Sequence, residues 1–320
     1  MSERLNALSV RELTKHFGSV RAVQGLTFDV RAGELFGLVG PDGAGKTTTL
    51  RMLAGVLRPT AGDATVLGVS VAGNPEAVKD HIAYMSQRFG LYTDLTVREN
   101  IDFYGDLYGV PSTEREHRLE RLYAFSGLGP FEGRLAGQLS GGMKQKLGLC
   151  CALIHQPELM ILDEPTFGVD PISRRDLWLI VHEMVASGTT VIVSTAYLDE
   201  AERCDRVGLL HQGRMLALDA PAPLQARLAG RVVGVRTDRP RATRDLLRRL
   251  PTVNNAVLFG DLVHATLDDA GRDWPHAEAA LAQAGHEVRE VEPIEASLED
   301  VFIDLVGDRD RPRRAETDNQ

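Results

Sequence analysis

Two kinds of apolar pattern alternate along the first two thirds of the chain. Short runs that are almost wholly apolar or β-branched occupy residues 34–39, 159–162, 190–194 and 207–210. Longer runs with apolar residues every three to four positions occupy residues 47–57, 115–125, 144–154 and 173–186. The short runs predict strands buried on both faces, and the long ones predict helices with one apolar face. Their alternation predicts an α/β domain built on a largely parallel sheet.

The pattern changes after residue 219. Residues 220–230 contain two prolines and a short helical pattern, so we place a hinge there and predict domains over residues 1–225 and 231–306. In the second domain a strand, a helix, two strands that turn at Gly260 and Asp261, a helix and a strand precede a closing helix. This βαββαβ order predicts a small α+β domain of the ferredoxin-like type. Residues 307–320 are charged without an apolar face and predict a disordered tail.

Composition excludes several classes of protein. The chain has 36 Lys and Arg against 45 Asp and Glu, a formal net charge of −9, so we expect no nucleic-acid partner. No run approaches the roughly 18 uncharged apolar residues of a membrane-spanning helix, and the N-terminus lacks the pattern of a signal peptide. The three cysteines, Cys150, Cys151 and Cys204, do not make a disulfide framework. We therefore expect a cytoplasmic protein with reduced thiols.

The clearest chemical motif is GPDGAGKT at residues 40–47, which lies between an apolar run and a helical pattern. It fits G-x-x-x-x-G-K-[ST], in which backbone N–H groups surround the phosphates of a nucleotide and the lysine adds a positive charge. The hydroxyl of Thr47 can ligate Mg²⁺, and Thr48 is placed to bind the α-phosphate. The alternative is a glycine-rich turn without a ligand. The predicted nucleotide-binding residues of this motif are Gly40, Pro41, Asp42, Gly43, Ala44, Gly45, Lys46, Thr47 and Thr48.

Two acids, Asp163 and Glu164, end the apolar run MIL. Burying adjacent carboxylates costs several kcal/mol each unless a cation or hydrogen bonds compensate. A bound metal–nucleotide complex provides such a cation. Taken alone, two acids after an apolar run are also typical of a solvated strand end. Together with the loop at residues 40–47, they predict that Asp163 holds Mg²⁺ through water and that Glu164 is the general base for the attacking water.

Further motifs resemble those of one family, the ATP-binding cassette (ABC) ATPases. LSGGM at residues 139–143 resembles the family's signature motif, and TFGVD at residues 166–170 resembles the loop at its dimer interface. Gln87 follows Tyr-Met-Ser as in the family's glutamine loop, and Phe17 stands where the family has an aromatic residue under adenine. The resemblance covers residues 8–218 and implies a P-loop NTPase cassette with a mostly parallel sheet and a helical subdomain. The C-terminal domain, which ends in SLEDVF at residues 297–302, resembles the extension on ATPase subunits of type-2 bacterial exporters.

The resemblance also implies how the motifs act together. Ser140 and the N–H groups of Gly141 and Gly142 open a helix and can bind an anion; in the family they face the γ-phosphate of ATP held by a second cassette. Gln87 would sense the γ-phosphate as a third ligand of Mg²⁺, after Thr47 and Asp163. Lys46, Gln87 and Glu164 are the catalytic residues that the resemblance implies. ATP then joins two cassettes as a homodimer or a heterodimer, and hydrolysis opens the pair.

Two further implications concern partners. The chain would be the ATPase subunit of a bacterial exporter, bound beneath a separate integral-membrane permease at the inner face of the cell membrane. Residues 91–108 would form a groove for a permease helix, although ordinary packing of the helical subdomain is an equal interpretation of the aromatic residues there, which are Phe89, Tyr92, Phe103, Tyr104 and Tyr108. The alternatives are a soluble ABC ATPase that acts on the ribosome or another macromolecular complex, and the first half of a longer two-cassette protein.

One position departs from the family pattern. The family has a histidine after the strand TVIVST that hydrogen-bonds the γ-phosphate and steadies the attacking water, and this chain has Ala196 there. A methyl group can do neither. Losing a transition-state hydrogen bond to a charged oxygen costs about 2–4 kcal/mol, or roughly 10²–10³ in rate. We therefore expect intact ATP binding with slow or asymmetric hydrolysis.

Overall fold

The computed structural model describes residues 6–87 and 89–310. The described chain forms two compact units. The first comprises the residues through Tyr197 together with Cys204–Met215, and the second comprises Leu198–Arg203 and the chain from Leu216 onward. The boundary that we place at residue 225 stays a prediction.

Strands and helices alternate along most of the described chain. The strands are β1 (Asn6–Phe17), β2 (Val20–Arg31), β3 (Leu35–Val39), β4 (Ala61–Val66), β5 (Val69–Ser70), β6 (Ile82–Met85), β7 (Leu159–Asp163), β8 (Thr190–Thr195), β9 (Arg206–His211), β10 (Arg214–Asp219), β11 (Val232–Thr237), β12 (Val253–Phe259), β13 (Leu262–Leu267) and β14 (Val288–Pro293). The α-helices are α1 (Lys46–Leu53), α2 (Pro75–Lys79), α3 (Val97–Leu107), α4 (Ser112–Ser126), α5 (Gly141–Leu153), α6 (Pro171–Ala186), α7 (Leu198–Ala201), α8 (Pro221–Ala226), α9 (Pro240–Leu247), α10 (Ala270–Gln283) and α11 (Leu298–Asp310).

A six-stranded sheet in the order β10-β9-β3-β8-β7-β6 carries the predicted α/β fold. Its central pairs, β9-β3, β3-β8, β8-β7 and β7-β6, are all parallel. Every residue of β3, β7 and β8 is buried, as expected for central strands of a parallel sheet that is covered on both faces. The short apolar runs are therefore strands, as predicted, and the fold is α/β.

The register of the parallel strands sets the position of the site. Val39 pairs with Thr195, and Asp163 pairs with Ser194. The carboxyl ends of β3, β7 and β8 therefore lie side by side at one edge of the sheet. Loops that leave this edge are where ligands bind in parallel α/β sheets.

A second sheet, in the order β2-β1-β4-β5, is antiparallel and is absent from our sequence prediction. The two long strands β1 and β2 have 12 residues each, but their alternation of apolar and polar positions is interrupted. Glu12 has φ 49° and Gly25 has φ 64°, and the register of β1 on β2 shifts between Val10 and Leu13. Such bulges reverse which side chains face the core, so the period-2 pattern is lost.

The helical subdomain lies between β6 and β7 in the sequence and contains α3, α4 and α5. A capping box in which Thr96 and Glu99 bond each other's backbone starts α3, and α5 packs on both α3 and α4. The predicted helix at residues 47–57 ends earlier, at Leu53, because Gly55 adopts φ 67° and its N–H donates to the Met52 carbonyl. Within residues 6–87 and 89–310, none of the helices has both the length and the hydrophobicity that a membrane span requires.

The three cysteines, Cys150, Cys151 and Cys204, are free and buried. Burial raises the pKa of the Cys150 thiol to about 12 and raises that of Cys151 well above its ordinary value. Both remain protonated near neutral pH and are therefore unreactive side chains of the core.

The second unit contains the predicted βαββαβ order, in an antiparallel sheet with strand order β12-β13-β11-β14. Its core includes Val235, Leu247 and Trp274. The ferredoxin-like assignment itself stays a prediction. Helix α11 continues to Asp310, so residues 307–310 are helical where we predicted the start of the tail, and residues 311–320 lie outside the described chain.

The start of α11 is held by a buried carboxylate. Asp300 is 2% exposed and accepts hydrogen bonds from the Ser297 N–H and hydroxyl at 2.9 and 2.8 Å. His264 Nδ1 lies 3.1 Å from Asp300 Oδ2. Burial alone would raise the pKa of Asp300, but the contacts with His264 and Ser297 outweigh it and hold this pKa below its ordinary value.

We expect this unit to lose stability in acid. Because the pKa of Asp300 is depressed, its stabilisation is present above the unfolded pKa, about 3.9, and is lost as pH falls through the lower folded value. Replacing Asp300 by Asn should cost about 1.5–3 kcal/mol at pH 6, the contribution of hydrogen bonds to a charged group. Urea unfolding between pH 6 and pH 2.5 measures this. An Asp300→Asn variant with the same acid sensitivity as the native chain would contradict the assignment.

Candidate nucleotide-binding site

The loop between β3 and α1 has the conformation that its glycines allow. Gly43 and Gly45 have φ 77° and 103°, in the left-handed region that side chains rarely adopt. A Cβ atom on Gly45 would lie 2.5 Å from the Ala22 carbonyl oxygen, and one on Gly40 would lie 2.2 Å from the Leu210 carbonyl oxygen. These positions accept only glycine, so the loop passes close to neighbouring backbone while Pro41, Asp42 and Gly43 remain exposed.

Lys46, the first residue of α1, is 4% exposed. Its Nζ donates to the Gly40 carbonyl at 2.7 Å and the Pro41 carbonyl at 3.1 Å, and it lies 3.0 Å from Glu164 Oε1. These three contacts use all three N–H bonds of the ammonium group. The lysine thus joins the phosphate loop to the acid after β7.

Asp163, at the end of β7, is 1% exposed. It accepts hydrogen bonds from Thr47 Oγ1 at 3.0 Å, Ser194 Oγ at 2.8 Å and the Tyr84 hydroxyl at 3.4 Å. Burial, and next the charge of Asp163, raise the pKa of the Tyr84 phenol, which therefore stays protonated. Neither Ser194 nor Tyr84 is predicted from the sequence, although each stands near the carboxyl end of a strand beside β7.

Glu164 leaves the sheet with φ 51°, an uncommon conformation for a residue with a side chain. Its N–H donates to the Ser194 carbonyl at 3.2 Å and hydroxyl at 3.0 Å. Its Oε2 accepts from Gln87 Nε2 at 3.1 Å, while Oε1 faces Lys46. The structure therefore brings together the three predicted catalytic side chains, Lys46, Gln87 and Glu164.

The signature segment lies at the start of α5. The Ser140 hydroxyl accepts from the Met143 N–H at 3.3 Å. A Cβ on Gly142 would lie 2.2 Å from Ser173 Oγ, so this glycine allows α5 to approach the first turn of α6. The described contacts of Ser140 and Gly142 are with α5 and α6, and none is with the Gly40–Thr48 loop. Gly141, the residue between them, is exposed.

Known proteins that are similar to this chain belong to the family that its motifs resemble. Residues 23–167 match the sequence family described as ABC transporter. The probable multidrug ABC transporter ATP-binding protein YbhF of Escherichia coli is 46% identical over 291 residues, which are 89% of this chain and 49% of that protein. The daunorubicin/doxorubicin resistance ATP-binding protein DrrA of Streptomyces peucetius is 36% identical over 94% of this chain and 92% of its own length. The chain belongs to the ABC transporter family of ATP-binding proteins.

A solved structure of an ATP-binding subunit of an ABC transporter superposes with a TM-score of 0.63. It is 32% identical in sequence and is matched over 69% of this chain and 92% of its own length. This agreement confirms the fold of an ABC cassette. The chain spans about half the length of its relative YbhF, so the activity and partners of the whole protein belong to the proposal below.

The ABC cassette has oxygen ligands suitable for Mg²⁺. The Thr47 hydroxyl and the Asp163 carboxylate lie 3.0 Å apart, and both are hard oxygen donors of the kind that Mg²⁺ prefers. Gln87, the third predicted ligand, donates instead to Glu164. The described part of the chain holds no group of three or more His, Cys, Asp or Glu side chains suited to a metal. Mg²⁺ bound with a nucleotide needs none, because phosphates and water complete its shell.

Phe17, predicted to lie under adenine, ends β1 and is 50% exposed. Lys15 Nζ lies 5.1 Å from the centroid of its ring. Phe17 pairs with Val20 at the turn into β2, and the same strand β2 contains Ala22, whose carbonyl lies beside the position of Gly45. An exposed ring near the phosphate loop is consistent with stacking on a base, and that role stays a prediction.

Ala196 follows directly after β8 and is exposed. The preceding residue, Thr195, accepts from the Gly40 N–H at 3.3 Å through its carbonyl and from the Tyr197 N–H at 3.0 Å through its hydroxyl. Ala196 therefore stands at the same edge of the sheet as the phosphate loop. Its methyl group offers no hydrogen bond there.

The aromatic residues of the predicted groove pack on one another. Ring centroids are 5.2 Å apart for Phe89 and Tyr104, and 4.6 Å apart for Tyr92 and Phe103. Tyr108 stacks on His155 at 3.9 Å. Tyr92, Phe103 and Tyr108 nevertheless stay 37–47% exposed, so these rings both pack locally and form an apolar surface around α3, the apolar surface of α3 below.

Proposed function

We propose that this chain binds and hydrolyses MgATP as the ATP-binding subunit of a bacterial exporter whose membrane-spanning part is another chain. The observation that carries this proposal is the meeting of Lys46, Gln87 and Glu164 beside the glycine loop at one edge of the sheet. The names of the relatives, one a multidrug transporter protein and one a drug-resistance protein, support export as the direction of transport.

The chain's own residues fit the steps of phosphoryl transfer to water. The N–H groups of the loop and the Lys46 ammonium hold the β- and γ-phosphates, and Lys46 exchanges its contact with Glu164 for a phosphate oxygen. Glu164 accepts a proton as the water oxygen forms its bond to the γ-phosphorus. The bond from phosphorus to the bridging oxygen breaks, and ADP leaves with that oxygen. Thr47 and Asp163 would hold Mg²⁺, which neutralises charge on the β- and γ-phosphates when bound.

The start of α5 supports a second cassette as partner. Ser140, Gly141 and the helix dipole form an anion-binding end, and their described contacts do not reach the chain's own phosphate loop. In the proposed assembly this end binds the γ-phosphate of ATP held by the other cassette. The partner cassette can be a second copy or a different chain.

The apolar surface of α3 supports docking to a membrane protein. It includes the half-exposed rings of Tyr92, Phe103 and Tyr108, and Leu107, which is 63% exposed. An amphipathic helix from a membrane partner would cover such a surface. The chain would then act at the inner face of the cell membrane.

The test combines pull-down with a matched pair of variants. Tagged chain is expressed in its native cells, the membranes are dissolved in detergent, and the co-purifying proteins are identified by mass spectrometry. We expect an integral-membrane protein, retained by Leu179→Asp on α6 and lost with Leu107→Asp on α3, since the two leucines are similarly exposed. Recovery of ribosomal proteins without a membrane protein would contradict the proposal and favour action on the ribosome.

A further inference from the structure

Two side chains meet beside position 196. The guanidinium carbon of Arg174 lies 4.5 Å from the centroid of the Tyr197 ring, within the range of a cation–π contact. The ring is 37% exposed, and Ala196 before it carries only a methyl group. None of the predicted nucleotide-binding or catalytic residues takes part in this contact.

Tyr197 is tied to the nucleotide site through β8. Its N–H donates to Thr195 Oγ1 at 3.0 Å, and the Thr195 carbonyl accepts from the Gly40 N–H at 3.3 Å. One residue earlier, the Ser194 carbonyl accepts from the Glu164 N–H at 3.2 Å. The segment before the ring is therefore hydrogen-bonded both to the phosphate loop and to the proposed general base.

Arg174 lies in the first turn of α6, just after the loop that leads from Glu164 into this helix. Its N–H donates to the Asp170 carbonyl at 2.9 Å, and Asp170 caps α6 by accepting from the Ser173 N–H at 3.0 Å. At the start of the same loop, the Phe167 N–H donates to the Glu164 carbonyl at 3.1 Å. The contact of Arg174 with Tyr197 thus links the segment after β8 to the loop that leads from Glu164 into α6.

We propose that Arg174 and Tyr197 are positioning residues that hold the segment after β8, and through it Glu164 and the phosphate loop, in the arrangement for hydrolysis. The inference rests on the proposed function. A histidine at position 196 would anchor this segment on the γ-phosphate, and Ala196 does not. The Arg174–Tyr197 contact anchors it instead on the first turn of α6. The aromatic face of Tyr197 performs this role, so its hydroxyl is dispensable.

The experiment measures steady-state ATP hydrolysis by the full chain and its variants. Arg174→Met and Tyr197→Ala should each lower kcat roughly two- to fivefold, the size of an exposed cation–π contact, with KM for MgATP unchanged. The double variant should be no slower than either single variant, because both remove one contact. Tyr197→Phe should keep the native kcat. Arg175→Met, at the adjacent exposed arginine, is the control for loss of charge and should have no effect.

A second set of variants, made in chains that carry Ala196→His, distinguishes a loss of positioning from a loss of folding stability. In Ala196→His chains the imidazole supplies its own anchor, so the loss caused by Tyr197→Ala should shrink, whereas a loss through instability would persist and would lower the melting temperature. Three results would each overturn the inference. Tyr197→Ala could keep the native kcat, the losses of the two single variants could add in the double variant, or Tyr197→Phe could lose as much kcat as Tyr197→Ala. If the native chain neither binds nor hydrolyses MgATP, the proposed function fails; if it does both and the variants match it, only this inference fails.

Discussion

Replacing Glu164 by Gln is expected to lower kcat for ATP hydrolysis by about 10²–10⁴, the contribution of a positioned general base. Glutamine keeps the size of the side chain and can still accept a hydrogen bond from Gln87, but it cannot take a proton from water. Binding of MgATP should survive, because the loop glycines and Lys46 are unchanged. Removing the carboxylate also frees Lys46 from its ion pair at 3.0 Å, so nucleotide affinity should stay equal or increase.

Single-turnover hydrolysis of labelled ATP, together with an equilibrium measurement of nucleotide binding, tests this prediction. Glu158→Gln is the matched control, because Glu158 stands immediately before the opposite end of the same strand and is exposed. The control should hydrolyse ATP at the native rate. A Glu164→Gln variant that loses binding as well as turnover would show that the carboxylate is structural and would reject its role as base.

Replacing Ala196 by His is expected to raise kcat by roughly 10²–10³, the value of one transition-state hydrogen bond to a charged oxygen. The exposed position after β8 leaves room for the larger side chain, and the strand itself is fixed by bonds from Gly40 and Glu164. KM for MgATP should change little if the new contact is stronger in the transition state than in the ground state. Hydrolysis by the native chain should be correspondingly slow.

Steady-state assays on the native chain, Ala196→His and the control Ala186→His, at an exposed position at the end of α6, give the comparison. The control should leave kcat unchanged. Rapid hydrolysis by the native chain that Ala196→His does not increase would contradict the account of this position. Rapid hydrolysis only after mixing with a second cassette would instead support an asymmetric pair.

The parallel core of this protein is predictable from its sequence, and the antiparallel sheet is not. Strands β3, β7 and β8 are buried on both faces, so each appears as a short run that is almost wholly apolar or β-branched. In β1 and β2 the bulge at Glu12 and Gly25 interrupts the alternation, and β1 also pairs with β4, which lies well beyond β2 in the sequence. The end of α11 is also not predicted. Residues 307–310 are helical although they are charged, because a charged sequence does not exclude a helix.

Part of the nucleotide-binding site is likewise predictable from the sequence, and part is not. Residues 40–47, Asp163 and Glu164 are adjacent in motifs with a fixed chemical purpose, so spacing alone indicated them. Ser194 and Tyr84 bind Asp163 only because β8 and β6 flank β7 in the sheet. The contact between Arg174 and Tyr197 likewise joins two residues that are far apart in the sequence. Residues whose role depends on tertiary contacts cannot be recognised from the neighbouring sequence.

The central claim is that MgATP binds at the loop that contains Lys46, and isothermal titration of the full chain with MgATP tests it most directly. The native chain should bind with one site per chain. Lys46→Met should weaken binding roughly ten- to hundredfold, the effect of losing a hydrogen bond to a charged phosphate oxygen, while Lys79→Met, at a lysine on α2 paired with Glu76, should bind as the native chain does. Equal affinity in all three chains, or no binding by the native chain, would contradict the account.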